Sequence, residues 1–346
     1  APVKAAALKL NGLMGIVVGS GYFILAVPIA KLLNDRSLVP YIRISALIIP
    51  PYFLYPVFLG YLNGLKKFHR QSALKIVFAA AKMILMIGLV AAGWKISGAI
   101  IGFALGAYTA FVVGFVMVGL PPLTLSFSMK KLLLFAIPIT LFTFSFEGAV
   151  SASLLLVKSL LGNNELTGYY NIAVQINKIP HYLFISIAGV LFPFVSQSFV
   201  NNDKRKVIDE LKRALRYLGI FLLPAVAGII IFGKLIVTIL FGQEYLPAVS
   251  PLIILSLAEI FMGLVFIFLI TLSGIDRQKT AMVIAMILFC LAVGLNFLLI
   301  PVYSISGGAL ATLITFFLGT GISGLTVYRY YSRNETFESR VSKNFP

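Results

Sequence analysis

The sequence predicts an all-α fold: a polytopic transmembrane bundle of about ten helices, in two lobes related by a parallel internal repeat. Three observations carry this expectation. Apolar residues make up 60% of the 346 residues and charged residues 11%, far from the shares of near one half and one quarter found in soluble domains. Apolar windows of about 20 residues, long enough to cross a hydrocarbon core, recur along the chain. Finally, one pattern occurs twice. Gly64 is followed by a basic loop (Lys66, Lys67, Arg70), an apolar run and Ile96-Ser97-Gly98-Ala99. Roughly 210 residues later, Gly274 is followed by a loop with Arg277 and Lys279, an apolar run and Ile305-Ser306-Gly307-Gly308. The interval from Gly to Ile is about 32 residues in the first copy and about 31 in the second.

The helices follow in order. The first spans Asn11 to Leu33, and the second Pro40 to Asn63, with a kink expected at Pro50-Pro51. The third covers Ser72 to Ala92 and the fourth Ser97 to Val118. Pro121-Pro122 break the pattern, and the stretch to Ser128 separates an amino-terminal lobe, residues 1–125, from a carboxyl-terminal lobe, residues 126–346. The fifth helix covers Lys131 to Leu161, and the sixth Leu166 to Phe199, bent at Pro180. The seventh covers Leu215 to Phe232, with a short amphipathic piece continuing to Phe241. The eighth covers Ala248 to Leu272, the ninth Thr280 to Ile300 and the tenth Gly307 to Tyr330.

The net charge of +17 does not point to nucleic acid, because the basic residues lie in loops between apolar runs, where they encode topology. Loops 2–3, 4–5, 6–7 and 8–9 and both termini hold most of them. The opposite side has only Lys31, Arg36, Arg43, Lys95, Lys158 and Lys234. The asymmetry is about threefold, so both termini are expected in the cytoplasm, and the expected location is the plasma (inner) membrane. Matching the copies pairs helices one to four with seven to ten and leaves five and six without partners. The first lobe is therefore expected to be short by two helices, in a parent of about twelve.

Charges at bilayer depth are functional candidates, because each costs a few kcal/mol to insert. Lys82 lies near the middle of the third helix, with Lys75 seven residues earlier. Glu147 lies in the fifth helix, Lys178 in the sixth beside Gln175 and with Asn171 two turns before, and Glu259 in the eighth. On one reading, Lys82, Lys178, Gln175 and Asn171 line a polar cavity that meets an anionic headgroup, while Glu147 or Glu259 carries a coupling proton or cation. On the other, internal Lys–Glu pairs tie helices together. Both readings stand for Lys82 and Glu147; for Glu259 and Lys178 the structural one is stronger. Gly98, Gly102 and Gly106 form a small-residue packing seam. Two histidines and one cysteine leave no metal-ligand cluster, and no catalytic constellation or cofactor-binding loop is recognisable, so enzyme chemistry has no foothold.

Several stretches carry a family pattern. Phe241-Gly242-Gln243-Glu244-Tyr245-Leu246-Pro247-Ala248 and Gly168-Tyr169-Tyr170-Asn171-Ile172-Ala173 resemble segments of polysaccharide exporters, and the run from Asn296 through Pro301 to Thr312 is the most specific. The chain thus resembles the polysaccharide/O-antigen flippase branch of the multidrug, oligosaccharidyl-lipid and polysaccharide exporter superfamily. The resemblance implies a flippase that moves undecaprenyl-diphosphate-linked oligosaccharide across the bilayer by alternating access. A proton or sodium gradient and polysaccharide-assembly proteins are its implied partners, and nucleic acid is not. Relatives often place an arginine where Gln175 stands. Two other functions remain open: a drug or organic-cation antiporter of the same superfamily, and a non-transporting membrane scaffold for polysaccharide synthesis.

Overall fold

The computed structural model describes residues 2–65, 67–119 and 129–332. Lys66, the Pro121-Pro122 break and the basic residues beyond 332 fall outside them. The helices are α1 (Pro2–Ile24), α2 (Ala26–Leu32), α3 (Val39–Ser45), α4 (Ile49–Gly64), α5 (Phe68–Leu89), α6 (Lys95–Val118), α7 (Met129–Leu161), α8 (Asn164–Val200), α9 (Lys204–Phe241), α10 (Val249–Gly274) and α11 (Gln278–Ser332). The chain forms two compact units, Ala1–Phe135 and Ala136–Pro346.

Among the described residues, eight helical stretches are long and apolar enough to cross a membrane. Two of them, Phe68–Val118 and Gln278–Tyr331, are 51 and 54 residues long, about twice what a bilayer needs. Each turns back on itself at a residue of positive φ, joined in the first stretch by Gly93 (φ 90°), which resolves the eight stretches into ten helices. The residues are Lys95 (φ 48°, ψ −133°) and Ser304 (φ 54°, ψ −137°), each placed immediately before its Ile-Ser-Gly.

The two copies match down to single hydrogen bonds. Lys67 N–H donates to the Leu62 carbonyl at 2.9 Å, and Arg277 N–H to the Leu272 carbonyl at 2.9 Å. In both cases the end of the preceding helix is closed by a wrapped backbone turn under the basic loop. The extra residue of the first copy is taken up by a π-helical turn, Val90–Trp94, in which Gly93 has φ 90°. An inserted residue in a helix is ordinarily absorbed in this way.

Glycine permits the sharp reversals. A Cβ on Gly102 would lie 2.5 Å from Met86 N, and one on Gly106 would lie 2.6 Å from Lys82 Cα. The expected glycine seam is thus the surface along which α6 lies against α5. In the second copy, a Cβ on Gly307 would lie 2.2 Å from the Leu299 carbonyl oxygen, and one on Gly319 2.8 Å from Leu288 Cδ2. Residues 278–303 and 305–332 therefore run antiparallel.

In the first unit, Tyr55, Phe58, Leu62, Leu74 and Ala110 form a small core. Lys4 Nζ donates to the Gly119 carbonyl at 2.8 Å and the Val118 carbonyl at 3.3 Å. A cation there meets the negative end of α6 and its unsatisfied carbonyls. The second unit is held by a phenylalanine cluster. Phe266 of α10 packs against Phe146 of α7 at 4.9 Å between centroids and against Phe184 of α8 at 5.6 Å, while Phe146 meets Phe316 of α11 at 5.6 Å.

The sequence reading needs three corrections. The first helix begins at Pro2 rather than Asn11, because Lys4 finds the α6 carbonyls and is not left in lipid. The break in the second helix is the 3₁₀ turn Ala46–Ile48, and Pro50-Pro51 open α4, where proline lacks no needed donor. The third concerns the basic stretch after Asp203, the seventh helix and the piece beyond Phe232. All belong to one helix, α9, capped by Asp203 accepting from Lys206 N–H. Its buried Val207, Leu211, Ala214 and Leu218 keep one helical face on the core through the charged turns.

Two stability effects follow from the reversals. Gly102→Leu should destabilise the α5–α6 hairpin by about 1–3 kcal/mol, because the new side chain meets backbone that cannot give way. Gly88→Leu, at a site with nothing within 4 Å, should leave the melting temperature in detergent within a degree or two. Ser304→Gly should raise that temperature, by relieving a backbone strain of about 1 kcal/mol.

Candidate functional site

In the first unit, the candidate charge Lys82 sits on α5 with its ammonium 5.3 Å from the Phe78 ring centroid and 5.2 Å from that of Phe103 on α6. Phe78 lies one turn before Lys82, and the close α5–α6 packing at Gly106 brings Phe103 over. Tyr52 of α4 stacks on Phe103 at 6.0 Å and meets Phe78 edge-on at 6.0 Å. Tyr52 and Phe103 also line a cavity of about 490 Å³ with Asn11, Phe53 and Pro56. Among the described residues, Lys82 has these rings and no carboxylate partner. Aromatic faces stabilise a desolvated ammonium by about 2 kcal/mol without neutralising it, so the charge stays available to an anion. Lys75 is exposed on the same helix.

In the second unit, Glu147 lies near the middle of α7 and is exposed, on a face that also carries exposed Thr140, Thr143 and Ser151. The residues behind it, Phe142, Phe146, Ala149 and Ala152, are buried in the core. On α8, Gln175, Lys178, Tyr182 and Ser186 are exposed at helical spacing, with Asn171 half-buried at the same face. Both helices therefore turn an apolar face inward and carry a polar stripe away from the unit's core, beside exposed apolar side chains such as Phe144 and Ile179.

Glu259 is different. It is buried at 6% exposure, and its Oε2 lies 3.4 Å from Nδ1 of His181 on α8. One turn along, Asn177 donates to the Leu252 carbonyl at 3.2 Å and accepts from Ser256 Oγ at 2.8 Å. A polar seam thus joins α8 to α10, the side chains of Asn177 and His181 facing those of Ser256 and Glu259. Such bonds between membrane helices are each worth about 0.6–2 kcal/mol. The structural reading of Glu259 expected a lysine partner, and the partner found is histidine.

His181 and the aromatic group Tyr52–Phe78–Phe103 are the residues that the sequence reading missed. Phe78 was legible as a one-turn neighbour of Lys82, and His181 as a one-turn neighbour of Asn177. Phe103 and Tyr52 belong to other helices and carried no such signal.

Residues 5–250 match the family described as polysaccharide biosynthesis protein. An uncharacterised membrane protein of Methanocaldococcus jannaschii is 29% identical over 157 residues, which is 45% of this chain and 31% of that protein. The probable low-salt glycan biosynthesis flippase Agl15 of Haloferax volcanii is 28% identical over 153 residues, 44% of this chain and 32% of its own. The chain thus spans about a third of the length of these relatives. Among solved structures, an inward-facing multidrug resistance transporter of the MATE family, in the MOP superfamily, superposes with TM-score 0.80 at 13% identity, covering 98% of this chain and 82% of its own. The lipid II flippase MurJ in its inward closed conformation superposes with TM-score 0.77 at 18% identity, covering 94% and 72%. At these identities the likeness establishes the fold: a multi-pass, two-lobed membrane bundle with an internal repeat. With that fold, and a match that extends from α1 into α10, the chain belongs to the polysaccharide biosynthesis protein family.

Proposed function

We propose that this chain is a flippase that moves a lipid-linked oligosaccharide across the membrane by alternating access, supplying surface polysaccharide assembly and catalysing no covalent chemistry. The observation that carries the reading is Lys82: a cation within a membrane-length helical stretch, held against two aromatic rings, one of which lines a neighbouring cavity. A diphosphate needs such a charge, and sugar rings stack on aromatic faces. The exposed polar faces of α7 and α8 supply the wet surface that a hydrophilic cargo needs, since lipid would penalise Glu147 and Lys178 by a few kcal/mol each. Kinship to a protein named as a probable glycan biosynthesis flippase supports the same substrate class.

Glu147 and the Glu259–His181 pair are the groups of unit 2 suited to a coupling proton or cation. The lysine and arginine asymmetry supports cytoplasmic termini, and the flippase reading itself implies the plasma (inner) membrane. The domain division proposed from the sequence falls in residues 120–128, between α6 and α7.

Lys82→Ala should lower transport of a polyprenyl-diphosphate oligosaccharide in proteoliposomes by about tenfold or more, the factor of a 1.4 kcal/mol loss. Lys82→Arg should keep a substantial part of it. Unchanged transport by the alanine variant would remove the lysine from the site, and transport of organic cations in place of the glycolipid would make the protein a drug antiporter.

Glu147→Gln should abolish stimulation by a proton or sodium gradient while leaving exchange without a gradient in place. Stimulation that survives there but is lost in Glu259→Gln would move the coupling site to the α8–α10 seam.

A further inference from the structure

The geometry points to a second lipid site on the carboxyl-terminal unit, beyond Ser186 at the end of the α8 polar stripe: a groove between α8 and α9 that holds one acyl chain of an anionic phospholipid. The groove encloses about 410 Å³, within the range of small-molecule sites. Val190 and Phe194 of α8 and Ala214, Tyr217 and Phe221 of α9 form its walls, and Glu210 and Arg213 stand at its end.

The shape is that of an amphiphile's complement. Val190 is 61% exposed, Phe194 48% and Phe221 54%. Apolar side chains exposed on a membrane helix meet hydrocarbon, so an alkyl chain is the natural filling. At the groove's end the chemistry changes within one turn of α9. Tyr217 gives way to Arg213, flanked in sequence by exposed Lys212 and Arg216. The only ion pair recorded for Arg213 among the described residues is with Glu210, at 3.4 Å and with the arginine side chain 61% exposed. A pair so exposed is weak, and it leaves guanidinium donors for a phosphate.

Charge favours the same occupant. The start of α9 carries Lys204, Arg205, Lys206, Lys212, Arg213 and Arg216 against Asp203, Asp209 and Glu210, a positive excess on the side of the bilayer where basic loops collect. Such an excess draws anionic headgroups. A polar partner protein would leave the groove walls unmatched, and a zwitterionic lipid would not use the charge. Ser186, at the end of the polar stripe of α8, also lines the groove, but the proposal does not depend on the flippase reading, because Arg213 and Val190, which carry it, are not among the cargo or coupling residues.

The test is native mass spectrometry of the purified protein from nanodiscs of equal phosphatidylglycerol and phosphatidylcholine, counting the lipids that stay bound. The wild type should retain phosphatidylglycerol in preference. Arg213→Gln should cut that retention about fivefold, the worth of one basic contact at an anionic leaflet. Val190→Trp, which fills the groove without touching charge, should cut it similarly. Arg205→Gln, on the same helix but outside the groove lining, should leave it unchanged. Melting temperatures check that each variant is folded. Equal retention of the two lipids, full retention by Val190→Trp, or an equal loss in Arg205→Gln would overturn the proposal, the last by showing diffuse attraction and no built site.

Discussion

The structure depends on one constraint: within the hydrocarbon layer, every backbone N–H and C=O has to be satisfied by the chain itself. An irregular loop at depth is ruled out, so direction has to change at the bilayer surface over very few residues. Lys95, with Gly93 two residues before it, and Ser304 do this, Lys95 and Ser304 in the same conformation. The helices on either side are then so close that only glycine fits where they touch, at Gly102 and Gly106 in one copy and Gly307 in the other. Sharp reversal and glycine seam are one solution to the same physical problem, reached twice in a single chain.

The same constraint governs charge. Lys4 ends on the carbonyls that α6 cannot use, Glu259 ends beside His181, and Lys82 ends between two rings. The three solutions differ in what they leave over. Lys4 is spent on a helix end, and Glu259 is enclosed by the core it helps to join. Lys82 rests against two rings with no carboxylate partner among the described residues, and Glu147 stays exposed on α7. Burial and partnership are what distinguish the surroundings of these four charges.

The second unit also shows how a membrane protein relates core to surface. The phenylalanines around Phe266 draw α7, α8, α10 and α11 together. That packing fixes which faces of α7 and α8 turn away. Because the core takes Phe142, Phe146 and Ala149, the outward side of α7 is left to Thr143, Glu147 and Ser151, together with exposed Phe144 and Leu155. Polar exposure here is a consequence of apolar packing.

The sequence by itself determined the fold class, the repeat and the glycine seam. All of these are written in spacing along one chain: apolar run length, a recurring Ile-Ser-Gly, glycines four apart. It did not show α9 as one helix, because hydropathy falls across its charged first turns although the buried face through Val207, Leu211 and Ala214 runs on unbroken. It also could not name the partners of the charges. Lys82 meets Phe103 only because α6 lies hard against α5, and Glu259 meets His181 only through the mutual rotation and depth of α8 and α10. Tertiary packing decided those pairings, since a helix fixes which residues share its own face but not which face of a neighbour it will meet.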